Sequence, residues 1–195
     1  RRVTPFVHPP GRYYLPFGTP LKVGFVSGDL KSHPVGYFLE GLMAHLDRTR
    51  VVPVVYATND FEDGLTQRLR PLFAAWHSLA ILTDTQAAQR IYEDGIDILI
   101  DLAGHTACNR LPVFAWKPAP VQVSWLGYFA STGVPGMDYL LADAYSVPEQ
   151  HEGDFTEHIY RLPDTRLCFT PPPVGNLIPV TPLPALGNGH LTFGS

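Results

Sequence analysis

Only two cysteines occur in the 195 residues, Cys108 and Cys168, and neither belongs to a Cys-x-x-Cys pair. That leaves no framework for a structural zinc or a set of disulfides, and it fits a reducing, cytoplasmic setting. Charge is scarce too: 16% of residues are Asp, Glu, Lys or Arg, the net charge is −4, and the basic residues are scattered. A protein that grips nucleic acid through phosphates needs a basic cluster, so nucleic acid is not an expected partner. No apolar run approaches the roughly 20 residues of a membrane-spanning helix. Nothing near Arg1 resembles the apolar core of a signal peptide.

Several catalytic and binding signatures are absent as well. No G-x-G-x-x-G follows the first apolar run, where Gly24 and Gly28 have the wrong spacing, and there is no G-x-x-x-x-G-K-[ST]. A dinucleotide or nucleoside triphosphate clamp is therefore not encoded. There is no Gly-x-Ser-x-Gly elbow, which argues against a hydrolase, and the eight histidines form no His-Glu-x-x-His pattern. Chemistry in this chain must come from loop side chains, with no metal expected.

Proline, by contrast, is abundant and marks the edges. Residues 1–20 carry Pro5, Pro9, Pro10, Pro16 and Pro20 among aromatics, which reads as an extended lead-in over the surface. Seven prolines between Pro163 and Pro184 stiffen the chain and forbid a long helix or central strand, so 163–190 reads as a linker out of a lobe spanning 21–162. Leu191-Thr-Phe-Gly-Ser195 then reads as a strand entering a turn. With Arg1 in place of a starting methionine, the chain is expected to be an internal segment of a longer protein.

Between these edges, strands alternate with helices. Leu21-Lys-Val-Gly-Phe-Val26 is a β-favouring run broken by Ser27-Gly28-Asp29, and Pro34 is placed to open a helix with Leu39, Leu42, Met43 and Leu46 on its buried face. Val51-Val-Pro-Val-Val-Tyr-Ala57 reads as a strand buried on both faces, the habit of parallel sheets. Asn59 or Asp60 is expected to cap a helix reaching about Ala74, and Trp76 to Ile81 reads as a short strand. Thr83 or Asp84 caps a helix that Gly95 ends. Ile96 to Leu102, Val121 to Trp125 and Asp138 to Asp143 are further strands, with a helix around Arg110 to Trp116. The fold class is α/β, a Rossmann-like, doubly wound parallel sheet.

In such a sheet ligands bind at the carboxyl ends of the strands. The first strand delivers Asp29 and His33 there, and the strand ending at Leu102 delivers Asp101 and His105 with the same spacing. Two readings are open for Asp29 and His33. Asp29 accepts backbone N–H bonds in the turn while His33 caps the helix, or His33 is a general base that Asp29 orients. His105 carries the same ambiguity, and Gly127 serves either an ordinary turn or a close backbone approach to a sugar.

Five ordered motifs bear on this choice: Ser27-Gly-Asp-Leu-Lys-Ser-His-Pro34, Asp94-Gly-Ile-Asp-Ile-Leu-Ile-Asp-Leu102 with Gly104-His-Thr106, Lys117-Pro-Ala-Pro-Val-Gln-Val-Ser-Trp-Leu-Gly-Tyr128, Met137-Asp-Tyr139 and Thr192-Phe-Gly-Ser195. Together they resemble the catalytic region of the O-linked N-acetylglucosamine transferase and SPINDLY family over about residues 21–195.

The resemblance implies the amino-terminal, acceptor-side lobe of a type B glycosyltransferase fold. A nucleotide-binding lobe would begin at 191–195 and follow it, and a tetratricopeptide array would precede it. It further implies inverting transfer from a nucleotide sugar to Ser or Thr of a protein acceptor, without metal or other cofactor. The family's Asp-x-x-x-His-Pro motif falls on Asp29, His33 and Pro34, with His33 as base or sugar-orienting group and Asp29 behind it. Its Trp-Leu-Gly motif sets Leu126 and Gly127 against the donor sugar, with His105 and Thr106 at the same site.

Three positions depart from animal members: Val35 for Thr, His105 for Tyr and Ala107 for Lys. The Gly104-His-Thr106 form is similar to the plant SPINDLY branch, which includes protein O-fucosyltransferases using GDP-fucose. Two donors, UDP-N-acetylglucosamine and GDP-fucose, therefore stay open, as does a non-catalytic binding role for this lobe in isolation.

Overall fold

The computed structural model describes residues 3–10, 16, 18–169 and 181–193. The middle of the expected linker, 170–180, and Gly194 and Ser195 of the closing motif lie outside them, as do residues 1, 2, 11–15 and 17 of the lead-in.

Among the described residues, seven strands form one parallel sheet: β1 (Leu21–Ser27), β2 (Val51–Ala57), β3 (Ala75–Ser78), β4 (Ile98–Asp101), β5 (Val121–Ser124), β6 (Tyr139–Ala142) and β7 (His158–Arg161). Their order is β3-β2-β1-β4-β5-β6-β7, and every pairing is parallel. Central β1 is in register with β2 at Phe25↔Val55 and with β4 at Phe25↔Ile100. Five helices accompany the sheet among the described residues: α1 (Pro34–Ala44), α2 (Gly64–Leu69), α3 (Asp84–Glu93), α4 (Leu111–Phe114) and α5 (Pro184–Asn188).

Strand pleating sorts the apolar residues onto two faces. Val23 and Phe25 of β1 point with Val55 of β2 into a cluster with Leu39 and Met43 of α1 and Leu65 and Leu69 of α2. Val26, Val54 and Tyr56 point the other way, into a second cluster with Ala87, Ala88 and Ile91 of α3 and Val113 and Phe114 of α4. Both faces of the sheet are thus covered, which is the doubly wound arrangement the continuous apolar strands imply.

Several boundaries differ from the sequence reading. The cap of α2 is Asp63, whose Oδ1 accepts the N–H groups of Leu65 and Thr66, while Thr66 Oγ1 accepts the Asp63 N–H. Asn59 and Asp60 are engaged elsewhere: Asn59 donates to the Gly28 carbonyl, and Asp60 accepts from the Ser78 hydroxyl. The helix is consequently six residues long, followed by a 3-10 turn at Arg70–Leu72, because Pro71 supplies no N–H to continue the ladder.

β3 ends at Ser78 and does not run to Ile81. β7 was not anticipated: it is short, half-exposed and at the sheet edge, where alternation is weak. Leu191 to Phe193, read as a strand, is exposed and outside any strand. The amino-terminal residues are docked on the lobe: Phe6 stacks on Tyr92 with ring centroids 4.4 Å apart, and its N–H donates to the Trp116 carbonyl.

Candidate active site

β2 and β3 lie on one side of β1, and β4 to β7 on the other. The chain leaves β1 toward the α1 face and leaves β4 toward the α4 face, the point in the strand order where an open α/β sheet binds its ligands. The loops after β1, β4 and β5 carry the residues singled out from the sequence.

The β1 exit is held from several sides. Ser27 Oγ accepts the Asp29 N–H at 2.9 Å, Thr66 Oγ1 donates to the Leu30 carbonyl at 2.8 Å, and Asp63 Oδ2 accepts the Ser32 N–H at 2.7 Å. The Ser32 amide above all, with those of Thr66 and Leu65, holds Asp63 well below the usual carboxylate range. A Cβ on Gly36 would lie 2.3 Å from the Lys31 carbonyl oxygen, so the loop also folds tightly onto the first turn of α1.

The structure shows the capping contact of His33. His33 is the N-cap of α1 with extended backbone, and its Nδ1 accepts the Val35 N–H at 3.3 Å. A ring nitrogen accepts only through its lone pair, so the neutral ring carries its proton on Nε2. That nitrogen is then a donor. Asp29 Oδ2 lies 4.0 Å from His33 Nδ1, with side-chain exposures of 17% for Asp29 and 41% for His33. Asp29 therefore supplies negative charge beside the ring, and Ser27, not Asp29, makes the turn's bond to backbone N–H.

After β4 the same spacing has a different result. Asp101 is fully buried and accepts the N–H groups of Ala103 at 3.2 Å and Gly104 at 2.7 Å. Burial pushes its carboxyl up to about 6, against the lowering pull of those two bonds. Gly104 is left-handed, φ +56°, and a Cβ there would lie 2.2 Å from Tyr128 Cβ, so two reasons require glycine. His105 is exposed, with its ring edge-on to Tyr128 at 5.3 Å, while Thr106 Oγ1 donates to the Ala103 carbonyl at 2.8 Å. The likeness of Asp101 and His105 to Asp29 and His33 is one of placement only.

The β5 exit lies against the β4 exit. The Trp125 N–H donates to the Asp101 carbonyl at 2.9 Å, and a Cβ on Gly127 would lie 1.9 Å from the Leu102 carbonyl oxygen. Between them Leu126 has φ +79°, and the Gly127 N–H donates to the Trp125 carbonyl at 3.1 Å. Together these form a γ-turn with a positive central φ, a strained form that costs a non-glycine residue about 1–3 kcal/mol. The Leu126 side chain is buried in the cluster that holds Leu30, Val35, Leu102 and Trp125. Further on, Ser131 and Thr132 are bonded to the buried carboxylate of Glu157, which anchors the far end of this loop.

The structure therefore brings Asp29 and His33 together, places Pro34 exposed at the first turn of α1, and interlocks His105, Gly104, Gly127 and Tyr128. The β1 and β4 exits meet where a Cβ on Gly28 would come within 2.9 Å of Cys108 Cβ. Sequence reasoning missed Asp63, Tyr128, Glu157 and Arg166. Asp63-Gly-Leu-Thr66 is a legible capping pattern; the others act through contacts distant in the chain. Among the described residues, no group of three His, Cys, Asp or Glu side chains is arranged to hold a metal ion, and no helix is long and apolar enough to cross a membrane.

Residues 3–169 match the family model described as glycosyl transferase family 41. The chain is 41% identical over 180 residues to the probable UDP-N-acetylglucosamine–peptide N-acetylglucosaminyltransferase SPINDLY of Solanum lycopersicum, covering 90% of this chain and 19% of that protein. Its identity to the UDP-N-acetylglucosamine–peptide N-acetylglucosaminyltransferase of Caenorhabditis elegans is 35% over 165 residues, covering 83% and 14%. Among solved structures, a mutant O-GlcNAc transferase of Thermobaculum terrenum superposes with a TM-score of 0.78 at 42% identity, covering 80% of this chain and 30% of that one. The chain thus spans about a fifth of the length of the curated SPINDLY relative, 19%.

Proposed function

Because this chain belongs to glycosyl transferase family 41, we propose that it forms the amino-terminal, acceptor-side lobe of an inverting protein O-glycosyltransferase. The donor is UDP-N-acetylglucosamine and the acceptor is a Ser or Thr hydroxyl of a protein. The observation that carries this reading is that the motif-bearing loops after β1, β4 and β5 meet at the carboxyl ends of one parallel sheet.

In the transfer, the acceptor oxygen bonds to the anomeric carbon as the bond from that carbon to the diphosphate oxygen breaks. The hydroxyl proton passes to a base, and the departing diphosphate is neutralised by donors in a following nucleotide-binding lobe. Of the roles open to His33, the cap favours orientation: with Nδ1 committed to Val35, Nε2–H donates to a sugar or acceptor oxygen. Asp29 supports that ring electrostatically. Pro34, His105 and Thr106 border the sugar, and the backbone at Leu126 and Gly127 lies against it. The transfer uses no metal and no other cofactor.

A second reading, protein O-fucosylation from GDP-fucose, is favoured by Gly104-His105-Thr106, the form similar to the SPINDLY branch. On either reading the lobe alone binds without catalysing, and it works in the cytoplasm with the nucleotide-binding lobe and an upstream tetratricopeptide array. The division proposed is a lead-in at 1–20, the lobe at 21–162, a linker at 163–190 and the start of the next lobe at 191–195.

Calorimetry on the whole protein with both nucleotide sugars separates the readings: tighter binding of the uridine donor supports the first, and tighter binding of the guanosine donor the second. His33→Ala should lower the transfer rate more than about threefold. A smaller change refutes the assignment of His33.

A further inference from the structure

The strained turn at Leu126 is held by a residue far along the chain. Arg166 follows β7 on the segment that leaves the lobe, and it makes three bonds to the rim. Its Nη1 donates to the Leu126 carbonyl at 3.3 Å, its own carbonyl accepts Trp125 Nε1–H at 2.9 Å, and its N–H donates to Asp143 Oδ2 at 2.7 Å. Asp143 is buried just past β6 and also accepts the N–H groups of Tyr145 and Ser146, so the anchor is itself fixed.

We infer that Arg166 is a positioning residue for the donor sugar: by bonding the Leu126 carbonyl and the Trp125 indole, it holds the left-handed γ-turn whose backbone faces the sugar. This rests on the proposed placement of Leu126 and Gly127 at the donor. A residue with φ +79° relaxes unless its surroundings over-determine it. Two of those surroundings are local: the Gly127 N–H bond and the burial of the Leu126 side chain. The Gly127 N–H and the Leu126 carbonyl belong to one planar peptide; the turn holds its N–H side, the guanidinium bonds its oxygen side, and the two together oppose its rotation.

The test uses the whole protein, with UDP-N-acetylglucosamine and GDP-fucose as calorimetric probes and a steady-state transfer assay. Arg166→Ala should weaken binding of the preferred donor about tenfold, the loss of one charge-assisted bond, while the acceptor KM stays within about twofold. Arg166→Lys, which retains a cation but not the planar fork, should recover part of the loss. Leu126→Gly supplies the decisive background. Glycine adopts a positive φ without strain but removes the buried anchor of the turn, so the effects of Arg166→Ala and Leu126→Gly on donor binding should be non-additive.

Full additivity of the two substitutions would overturn the inference. So would unchanged donor binding in Arg166→Ala when Gly127→Ala weakens it, a result that leaves the donor site itself standing. If Gly127→Ala and Arg166→Ala both leave donor binding unchanged, the placement of the sugar fails along with the inference. Should Arg166→Ala not fold, as judged by its melting transition, Arg166→Lys and Arg166→Gln replace it with the same criteria.

Discussion

Gly127→Ala is the sharpest perturbation available, because the added methyl has a defined obstacle. An ideal Cβ at Gly127 lies 1.9 Å from the Leu102 carbonyl oxygen and 2.9 Å from the Leu102 carbonyl carbon, and ordinary contact begins near 3.4 Å. The shortfall of about 1.5 Å is met by backbone on both sides, so no side-chain rotation removes it. Leu102 cannot retreat freely: its N–H donates to the Val26 carbonyl at 3.0 Å, and its side chain is fully buried.

Overpacking of this kind costs about 1–3 kcal/mol. In a domain of this size that corresponds to a fall in melting temperature of roughly 3–10 °C. Calorimetric melting of the variant reads this directly, and donor titration reads the accompanying displacement of the β4 and β5 exits. Gly64→Ala is the internal control: at the first residue of α2 a Cβ meets nothing within 4 Å. It should be neutral or stabilising by about 0.5 kcal/mol. A Gly127→Ala variant that melts within about 1 °C of wild type and binds donor equally would refute the close approach of the two loops.

Asp101 makes stability fall as pH rises from about 4 to about 6. Its carboxyl, raised to about 6 by burial, holds its proton more tightly folded than unfolded, an effect on the order of 3 kcal/mol. Asp101→Asn should flatten that part of a pH–stability curve measured by urea unfolding. Asp63 and Asp143 act in the opposite sense. Backbone amides, chiefly of Ser32 and Arg166 respectively, hold both below the usual range, so their contribution is full above about pH 4 and lost as pH falls further. Replacing both by Asn should blunt acid unfolding, read by circular dichroism. Tyr56 is buried with its hydroxyl donating to Asp94 at 2.8 Å, and burial raises it beyond the ordinary tyrosine range. It should stay protonated in an ultraviolet titration through about pH 11, and Tyr56→Phe should destabilise by about 1 kcal/mol.

Much of the fold is legible in local pattern. Val51-Val-Pro-Val-Val-Tyr-Ala57 reads as a buried strand because a central parallel strand must be apolar on both sides, and β2 has the bounds that run implies. Pro34 at the start of α1 and Thr83 as the cap of α3 follow from which N–H groups a helix leaves unbonded. The cap of α2 was misread because Asn59, Asp60 and Asp63 are all competent caps. Only the bonds of Asn59 to Gly28 and of Asp60 to Ser78 exclude the first two. β7 escaped notice because an edge strand with one neighbour needs little apolar content.

By itself the sequence determined the parallel α/β order and the strand ends that carry Asp29, His33, His105 and Gly127, since these depend on periodicity, turn residues and motifs within a few positions of one another. The tertiary structure decided what those residues do. It turned His33 into a cap, set Asp101 to hold a loop instead of pairing with His105, and brought Arg166 back to a turn 40 positions earlier. Such roles are fixed by lone pairs, burial and contacts between segments far apart in the chain, and none of these leaves a periodic trace in the order of residues.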